Sequence, residues 1–315
     1  MSRRSFAFSP RAALAMCVVT WASAFPAIRI ALEGFAPLQM ALLRHIIASA
    51  VFVAYAVATR VRLPRLGDFL RIAGLGTLGL ALYGVLLGYG QTGVSAGAAS
   101  LLIATSPVWM LILAATFSGE RPAPRVLAAM LVSFLGAALI AGSHGGGVRG
   151  FGLPAFAVLA AAAVGATYTI FLRPYTARYG AMTVTMVSAW GATLALLPGL
   201  PGLVRALPAA PPAAIGAAIY LGAIPAVIGY AAWAYGAARS TAASAGVALY
   251  IIPVATMVLS YLILGEVPTL ASIGGGALVL AGVVGVNLRS RLSAAVPPIR
   301  MARWTPRSSA ASDIC

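Results

Sequence analysis

The stretch "SPVWMLILAATFSGERP", residues 106–122, recurs later in the chain as "IPVATMVLSYLILGEVP", residues 252–268. In both copies a proline lies within an apolar run, and a Gly-Glu-x-Pro element follows the run. The same displacement of 146 positions places Gly34 on Gly180 without a gap. This self-similarity predicts that the chain contains two copies of one structural unit.

The composition is that of a membrane protein. Hydrophobic residues make up 61% of the chain and charged residues only 8%, with a mean hydropathy of +0.98. Soluble domains average roughly 25% charged residues. A water-soluble chain of this length would lack the polar side chains needed to cover its core, so an integral membrane protein is predicted.

Ten apolar runs are long enough to cross the bilayer as helices. They cover approximately residues 12–32, 37–58, 70–90, 96–118, 125–142, 152–172, 181–198, 213–237, 242–264 and 270–288. Because each copy holds five spans, an odd number, the second copy must cross in the opposite sense. The predicted fold is an all-α integral membrane protein of ten transmembrane helices, arranged as two inverted five-helix repeats.

Four segments follow from this reading. They are an N-terminus at 1–11, a first repeat at 12–142, a second repeat at 152–290 and a basic tail at 291–315. An inverted repeat of this kind is typical of carriers that work by alternating access, with the substrate site near the midplane.

The arginines predict the orientation. All 21 basic residues are arginine, and seventeen of them lie on one side of the predicted membrane. The positive-inside rule then places both termini in the cytoplasm. An alternative is that the N-terminus is a cleaved signal peptide, with Ala22-Ser23-Ala24 as a small-residue cleavage site. Cleavage would leave four spans to match five, so the internal repeat argues against it.

Three longer stretches carry a family resemblance. They are "WASAFPAIRIALEGFAPLQMALLRHIIA" (21–48), "AGAASLLIATSPVWMLILAATFSGERP" (96–122) and "ASAGVALYIIPVATMVLSYLILGEVP" (243–268). Together they resemble the EamA branch of the drug/metabolite transporter superfamily, over about residues 12–290. The resemblance implies a carrier with a central cavity in the cytoplasmic membrane. It also implies that the carrier moves amino acids or other small metabolites outward.

Arg44 and His45 are charged or polar residues inside the second apolar run. An arginine at the centre of a membrane helix costs about 2.5–3.5 kcal/mol on the insertion scale. One interpretation is that Arg44 faces the cavity and binds a carboxylate, because guanidinium donors suit that group. The other is that it snorkels outward or pairs with a neighbouring helix. His45 either packs between helices or takes part in proton coupling.

Aromatic side chains within the spans are further candidates for the substrate site. Those favoured are Trp21, Tyr89, Tyr168, Tyr235 and Tyr250. A wider set of polar and aromatic candidates also includes Ser23, Tyr83, Gln91, Ser106, Trp109, Trp190, Tyr230 and Trp233. Tyr89 and Tyr235 are repeat mates. Pro107 and Pro253, also repeat mates, are predicted to break their helices beside the cavity and free backbone carbonyls. By the same displacement, Pro225 corresponds to Gly79.

The acidic residues narrow the substrate class. The five carboxylates all lie at span ends, in a connection or in the tail. Export of bulky cations through a mid-membrane carboxylate therefore does not fit, whereas a neutral, zwitterionic or anionic solute does. Glu120 and Glu266 are predicted to cap helix ends.

Other function classes fit less well. A channel would need a polar stripe through several helices, and an enzyme would need a nucleophile with a base or metal ligands. Neither pattern is present in the sequence, and no cofactor, metal or nucleic-acid site is predicted. The expected partners are a small-molecule substrate and the lipid bilayer. Ala277, Ala281 and Gly285 form a face suited to close packing with a neighbouring helix or a second copy. Uptake or exchange, and a receptor or scaffold without transport, remain alternatives to export.

Overall fold

A computed structural model describes residues 9–118, 124–143, 152–240 and 242–290. Every regular element in these ranges is helical, which confirms the all-α prediction. The α-helices are α1 (Pro10–Ala31), α2 (Pro37–Thr59), α3 (Leu66–Gly76), α4 (Tyr83–Gly90), α5 (Ala96–Ile103), α6 (Ser106–Ser118), α7 (Pro124–Ser143), α8 (Leu153–Tyr179), α9 (Ala181–Leu196), α10 (Leu200–Ala206), α11 (Pro212–Ala223), α12 (Tyr230–Ala238), α13 (Ala242–Leu264) and α14 (Leu270–Ser290).

Four shorter elements complete the described chain. Two are π-helical, at Thr77–Leu82 and Ile224–Gly229, and join α3 to α4 and α11 to α12. Two 3₁₀ turns, at Leu197–Gly199 and Leu207–Ala209, flank α10. The fold is thus a set of long helices, some of which contain a π-helical or 3₁₀ segment.

Proline and glycine set many of the helix ends. The helices α1, α2, α7 and α11 each begin at a proline, where the missing N–H would have had no helical partner. Gly180 lies between α8 and α9 with a φ of +81°, and Gly265 follows α13 with a φ of +68°. These left-handed conformations favour glycine because it has no Cβ.

The helices have the length and apolarity of membrane spans. Eight candidate spans occur in the described residues, and two shorter apolar helices lie at Pro124–Ile140 and Leu270–Gly285. The prediction of a multi-pass membrane protein is therefore confirmed. The division into ten spans, which would count these two helices as well, stays a prediction.

Small residues let the helix backbones touch. A Cβ on Gly76 of α3 would lie 2.1 Å from the backbone oxygen of Ser188 in α9, and one on Gly191 would lie 2.1 Å from the oxygen of Ala73. On the far side, α14 packs against α7, where Gly282 would bring a Cβ within 2.5 Å of the Ala129 oxygen. Close packing of this kind is how helices associate without a hydrophobic driving force.

That contact bears on the predicted small-residue face of α14. Gly285 lies against α7, where an added Cβ would be 3.2 Å from Ala129 Cβ, while Ala277 and Ala281 are exposed. Packing with a neighbouring helix thus involves one of the three predicted residues. A second copy against the other two stays a prediction.

Two groups of helix termini define the ends of the molecule. The end of α1 meets the start of α5 and the segment between α13 and α14, which we term the Glu266 end. The start of α3 meets the end of α8, which we term the Asp68 end. Since α2, of 23 residues, begins beside the end of α1 and finishes beside the start of α3, the two ends lie on opposite faces of the molecule. The predictions for Glu120, for the first eight residues and for the tail fall outside the described residues.

Candidate substrate site

Arg44 lies in the interior of α2. It is seven residues beyond Pro37, so it is about 10 Å along the helix at 1.5 Å per residue. The backbone of α11 touches α2 at this level, since a Cβ on Gly222 would lie 2.5 Å from the Arg44 carbonyl oxygen. The Arg44 Nε is buried and has no hydrogen-bond partner among the described residues. The interior of α2 therefore holds a charged guanidinium with at least one unused N–H donor.

Two phenols share the surroundings of Arg44. Tyr83 and Tyr230 both lie near the guanidinium and near each other. Tyr168 in turn lies near Tyr230. The guanidinium N–H groups of arginine and the hydroxyl group of tyrosine can all donate hydrogen bonds. The arrangement can therefore offer several donors to one anionic group.

The backbone explains why these two tyrosines meet. Each is the first residue of an α-helix that follows a π-helical segment, Tyr83 after Thr77–Leu82 and Tyr230 after Ile224–Gly229. The two π-helical segments occupy corresponding places in the two copies, although the tyrosines are 147 positions apart rather than 146. Single-turn π segments inside α-helices occur frequently at functional sites.

An aromatic ring lies on each π-helical segment. Tyr168 of α8 packs on Gly79, where an added Cβ would be 2.0 Å from the ring's Cγ. Trp21 of α1 packs on Gly229, where an added Cβ would be 2.6 Å from Nε1. In both contacts the first long helix of one copy lies on the π-helical segment of the other. Two of the predicted site residues are thus brought to equivalent places.

Trp21 also anchors an aromatic cluster beside the phenols. Its ring centroid is 5.2 Å from that of Tyr230 in an edge-on arrangement, and 5.7 Å from that of Trp233. Its indole Nε1 donates to the Pro225 carbonyl oxygen at 3.3 Å. Two residues further along α1, the Ser23 hydroxyl lies 2.6 Å from the Tyr220 hydroxyl. A mainly aromatic wall, with the hydroxyl groups of Ser23 and Tyr220 beside it, therefore adjoins the Arg44 region.

His45 has different surroundings from Arg44. Only 3% of the residue is exposed, and its Nδ1 donates to the Ala41 carbonyl oxygen at 2.7 Å. Its backbone oxygen accepts from the Thr193 hydroxyl of α9 at 3.0 Å. These contacts favour the helix-packing interpretation, and proton coupling by His45 stays a prediction without a supporting contact.

The remaining predicted aromatic residues lie elsewhere. Tyr89 is near the end of α4 and is 39% exposed. Tyr235 is near the end of α12, where the Arg239 guanidinium lies 4.1 Å from its ring centroid. Tyr250 is half-buried in α13 and packs against the main core. The structure does not bring the repeat mates Tyr89 and Tyr235 together with Arg44, and a substrate role for these three stays a prediction.

The matched prolines have different local structures. The helix before Pro107 ends at Ile103, and α6 begins at Ser106. The Ile103 carbonyl oxygen accepts from the Ser106 hydroxyl at 2.7 Å. In contrast, Pro253 lies within the continuous helix α13. Only the first proline is therefore accompanied by an interruption, and the cavity role of both stays a prediction.

Ion pairs occur at the two ends of the molecule. Among the described residues they are Arg29 with Glu266, and Arg71 and Arg178 with Asp68. None includes Arg44. No group of three or more metal-ligating side chains occurs in the part of the chain that the structure describes.

The sequence places Tyr83 and Tyr230 only in the wider set of candidates. The internal repeat favours Tyr89 and Tyr235 instead, because they are exact repeat mates. Proximity to Arg44 instead depends on the π-helical segments, which shift the helical register. A useful signal was the pairing of Gly79 with Pro225, since both residues lie in these segments.

Comparison with known proteins gives the family. The model of the EamA-like transporter family matches twice, at residues 12–142 and 152–288. A probable terminal-alkyne amino-acid exporter of Streptantibioticus cattleyicolor is 42% identical over 88% of this chain and 93% of its own. An uncharacterized transporter of Bacillus subtilis, YdfC, is 38% identical over 84% of this chain and 86% of its own. An uncharacterized transporter of Archaeoglobus fulgidus is 31% identical over 86% of this chain and 95% of its own.

A solved structure supports the fold. One crystal structure of another protein superposes with a TM-score of 0.60, covering 91% of this chain and 99% of that one, at 21% identity. The two family matches together span most of the chain, and the relatives are named as transporters rather than enzymes. This chain belongs to the EamA-like transporter family, and it is a multi-pass membrane transporter.

Proposed function

We propose that this protein exports small metabolites, such as amino acids or related zwitterionic or anionic solutes, across the cytoplasmic membrane by alternating access. The ten predicted spans, in two inverted five-helix repeats, would provide two conformations of similar energy. Both termini would face the cytoplasm, as the arginine distribution predicts. The observation that carries the proposal is that Arg44, with an unused Nε, lies inside α2 near Tyr83 and Tyr230.

Arg44 is a half-buried arginine whose Nε is buried and unused. An arginine inside a membrane helix is costly, by about 2.5–3.5 kcal/mol on the insertion scale, unless its donors find partners. Arg44 Nε has no hydrogen-bond partner within the described residues, and Tyr83 and Tyr230 lie near the guanidinium. A carboxylate arriving from the substrate would compensate the charge and accept from the unused donors. Binding of a carboxylate thus repays part of the cost of keeping the arginine inside.

The surroundings of Arg44 also suit the rest of an amino acid. Trp21, Tyr230 and Trp233 form the adjacent aromatic wall, against which an uncharged side chain can pack. An aromatic face also attracts an ammonium group. The relative from Streptantibioticus cattleyicolor, named a probable amino-acid exporter, supports the same substrate class.

The experiment compares cells that overproduce the protein with cells that overproduce Arg44→Gln at matched membrane levels. Small molecules in the medium are measured by untargeted mass spectrometry. We expect one or more amino acids to accumulate outside with the unchanged protein and to fall to background with Arg44→Gln, because the variant lacks the charge that holds the carboxylate.

Arg205→Gln is the matched control. Arg205 is exposed, and its Nε donates to the Pro201 carbonyl oxygen of its own helix, so this variant should export normally. Export that survives Arg44→Gln would contradict the binding role. Accumulation inside cells rather than outside would indicate uptake, and no flux in either direction would favour a receptor or scaffold.

A further inference from the structure

The Glu266 end is held by one carboxylate from the second copy. Glu266 Oε1 lies 3.4 Å from Arg29 Nε, and its Oε2 accepts from the Ala96 N–H at 2.9 Å. Arg29 also donates from Nη1 to the Gln91 carbonyl oxygen. Arg29, Ala96 and Gln91 all belong to the first copy. Glu266 therefore ties the segment after α13 to α1 and to the start of α5.

The Asp68 end is held by one carboxylate from the first copy. Asp68 Oδ2 accepts from Arg178 Nη1 at 3.0 Å and from the Tyr179 hydroxyl at 2.5 Å. Asp68 Oδ1 lies 3.5 Å from Arg71 Nη1. Arg178 and Tyr179 belong to the second copy. Asp68 therefore ties the start of α3 to the end of α8.

The two ends share one plan. A carboxylate of one copy is held by two groups of the other copy, and the arginine lies in the last turn of the first long helix of its copy, Arg29 in α1 and Arg178 in α8. Yet the acids are not repeat mates, because 146 positions separate Asp68 from Ala214 and Glu266 from Glu120. Inheritance from one duplicated contact does not account for the pattern, so each end acquired its own link between the copies.

We propose that these contacts are the two gates of the transport cycle, the Asp68 cluster closing the cytoplasmic face and the Arg29–Glu266 pair closing the external face. The inference rests on the proposed alternating access, in which the two copies separate at one face at a time. Separation at either face pulls a carboxylate away from its partners in the other copy. Each gate therefore stabilises the conformation that is open at the opposite face.

The gates differ in strength. The Asp68 side chain is 10% exposed and is held by two arginines, the nearer at 3.0 Å, and a hydroxyl. The Glu266 side chain is 19% exposed and is held by one arginine at 3.4 Å and one backbone N–H. Hydrogen bonds to charged groups are stronger when they are short. Removing Asp68 should consequently shift the conformational equilibrium further than removing Glu266.

Distances between spin labels test the proposal without a substrate. Cys17 and Cys315 are replaced first, and cysteines are then introduced at exposed positions. One pair, Ala36 with Leu270, reports on the Glu266 end, and the other, Leu66 with Ala177, reports on the Asp68 end. Pulsed electron paramagnetic resonance on the protein in lipid nanodiscs gives the distribution of each distance.

Asp68→Asn should raise the population of long Leu66–Ala177 distances several-fold and leave the Ala36–Leu270 pair short. Glu266→Gln should do the reverse, with a smaller change. Exchanging the charges, Asp68→Arg with Arg178→Asp, should restore the short distances at the Asp68 end. Glu33→Gln, which removes an exposed carboxylate at the Glu266 end, is the control and should change neither pair.

Unchanged distributions in both variants, or the same pair lengthening in both, would overturn the proposal. If Asp68→Asn does not fold, Arg178→Gln tests the same gate from the other side. If the distances change as expected but the unchanged protein exports no amino acid, the substrate assignment alone would be refuted. Intact export with both distributions unchanged would refute the gates alone.

Discussion

The two π-helical segments are built alike, but the rings that lie on them are held differently. Tyr168 covers Gly79 with its Cβ, Cγ and Cδ2 atoms, and only 8% of Tyr168 is exposed. Trp21 covers Gly229 with the edge of its indole and is only half-buried. The backbone irregularity occurs in both of the family matches, while the side chains that lie on it differ. The comparison indicates a tight contact on one side of the Arg44 region and a looser one on the other.

Gly79→Ala should break this comparison most strongly. The new Cβ would lie 2.0 Å from Tyr168 Cγ and 2.3 Å from its Cβ, atoms that cannot move without α8. Overpacking of a close contact costs about 3 kcal/mol at the upper end of its usual range. The free energy of unfolding in mixed micelles measures the loss. Gly74→Ala is the control, because an added Cβ there meets nothing within 4 Å, and equal losses in the two variants would contradict the expectation.

Gly229→Ala should have a smaller effect on the same free energy. Its Cβ would lie 2.6 Å from Trp21 Nε1 and 2.8 Å from Cδ1, and the half-buried indole has room to tilt. We expect a loss of about 1–2 kcal/mol. Combining the variant with Trp21→Ala should remove the clash with the indole and leave only the 3.0 Å approach to Thr20 Oγ1. Gly229→Ala should therefore cost much less in the Trp21→Ala background than in the unchanged protein, and an equal cost in the two backgrounds would show that the ring is not the obstacle.

Trp21→Phe sharpens the comparison without adding atoms. The variant keeps an aromatic ring but loses the hydrogen bond from Nε1 to the Pro225 carbonyl oxygen. A hydrogen bond of this kind contributes about 1 kcal/mol. Unfolding in mixed micelles should show that loss, and the π-helical segment at Ile224–Gly229 should exchange its amide hydrogens faster. Unchanged exchange in this segment would contradict a supporting role for Trp21.

Tyr168→Phe should have the smallest effect. The Tyr168 hydroxyl lies near the Ser188 side chain, and the variant keeps the ring that covers Gly79. Since Ser188 retains the Ile72 carbonyl oxygen at 3.5 Å as a partner, we expect about 0.5 kcal/mol. Tyr168→Leu, which replaces the ring itself, is the informative comparison in the same assay. A phenylalanine variant as unstable as the leucine variant would show that the hydroxyl, and not the ring, holds the contact.

Much of the fold could be predicted because its causes are local in sequence. Apolar runs of membrane length predict helices whatever their neighbours are. The displacement of 146 positions predicted the paired glycine and proline at which the π-helical segments occur. It did not predict the π-helical geometry, because Gly79 and Pro225 are also compatible with an ordinary α-helix or a kink.

The site was predicted less completely. Arg44 could be singled out because a charge inside an apolar run is unfavourable in any arrangement. Its neighbours Tyr83 and Tyr230 lie on other helices, and which faces of those helices turn inward depends on the register after the π-helical segments. His45, adjacent to Arg44, packs with Ala41 and α9 instead, since neighbouring helix positions point about 100° apart.

The sequence by itself determined the helices, the membrane environment and the family, whose model matches twice, because each depends on composition and spacing along the chain. Only the tertiary structure decided which side chains meet. The bond from Arg178 to Asp68 spans 110 positions, and the bond from Glu266 to Ala96 spans 170. Contacts at such separations depend on how the helices pack, and helix packing depends on many small residues whose effects no single stretch of sequence reveals.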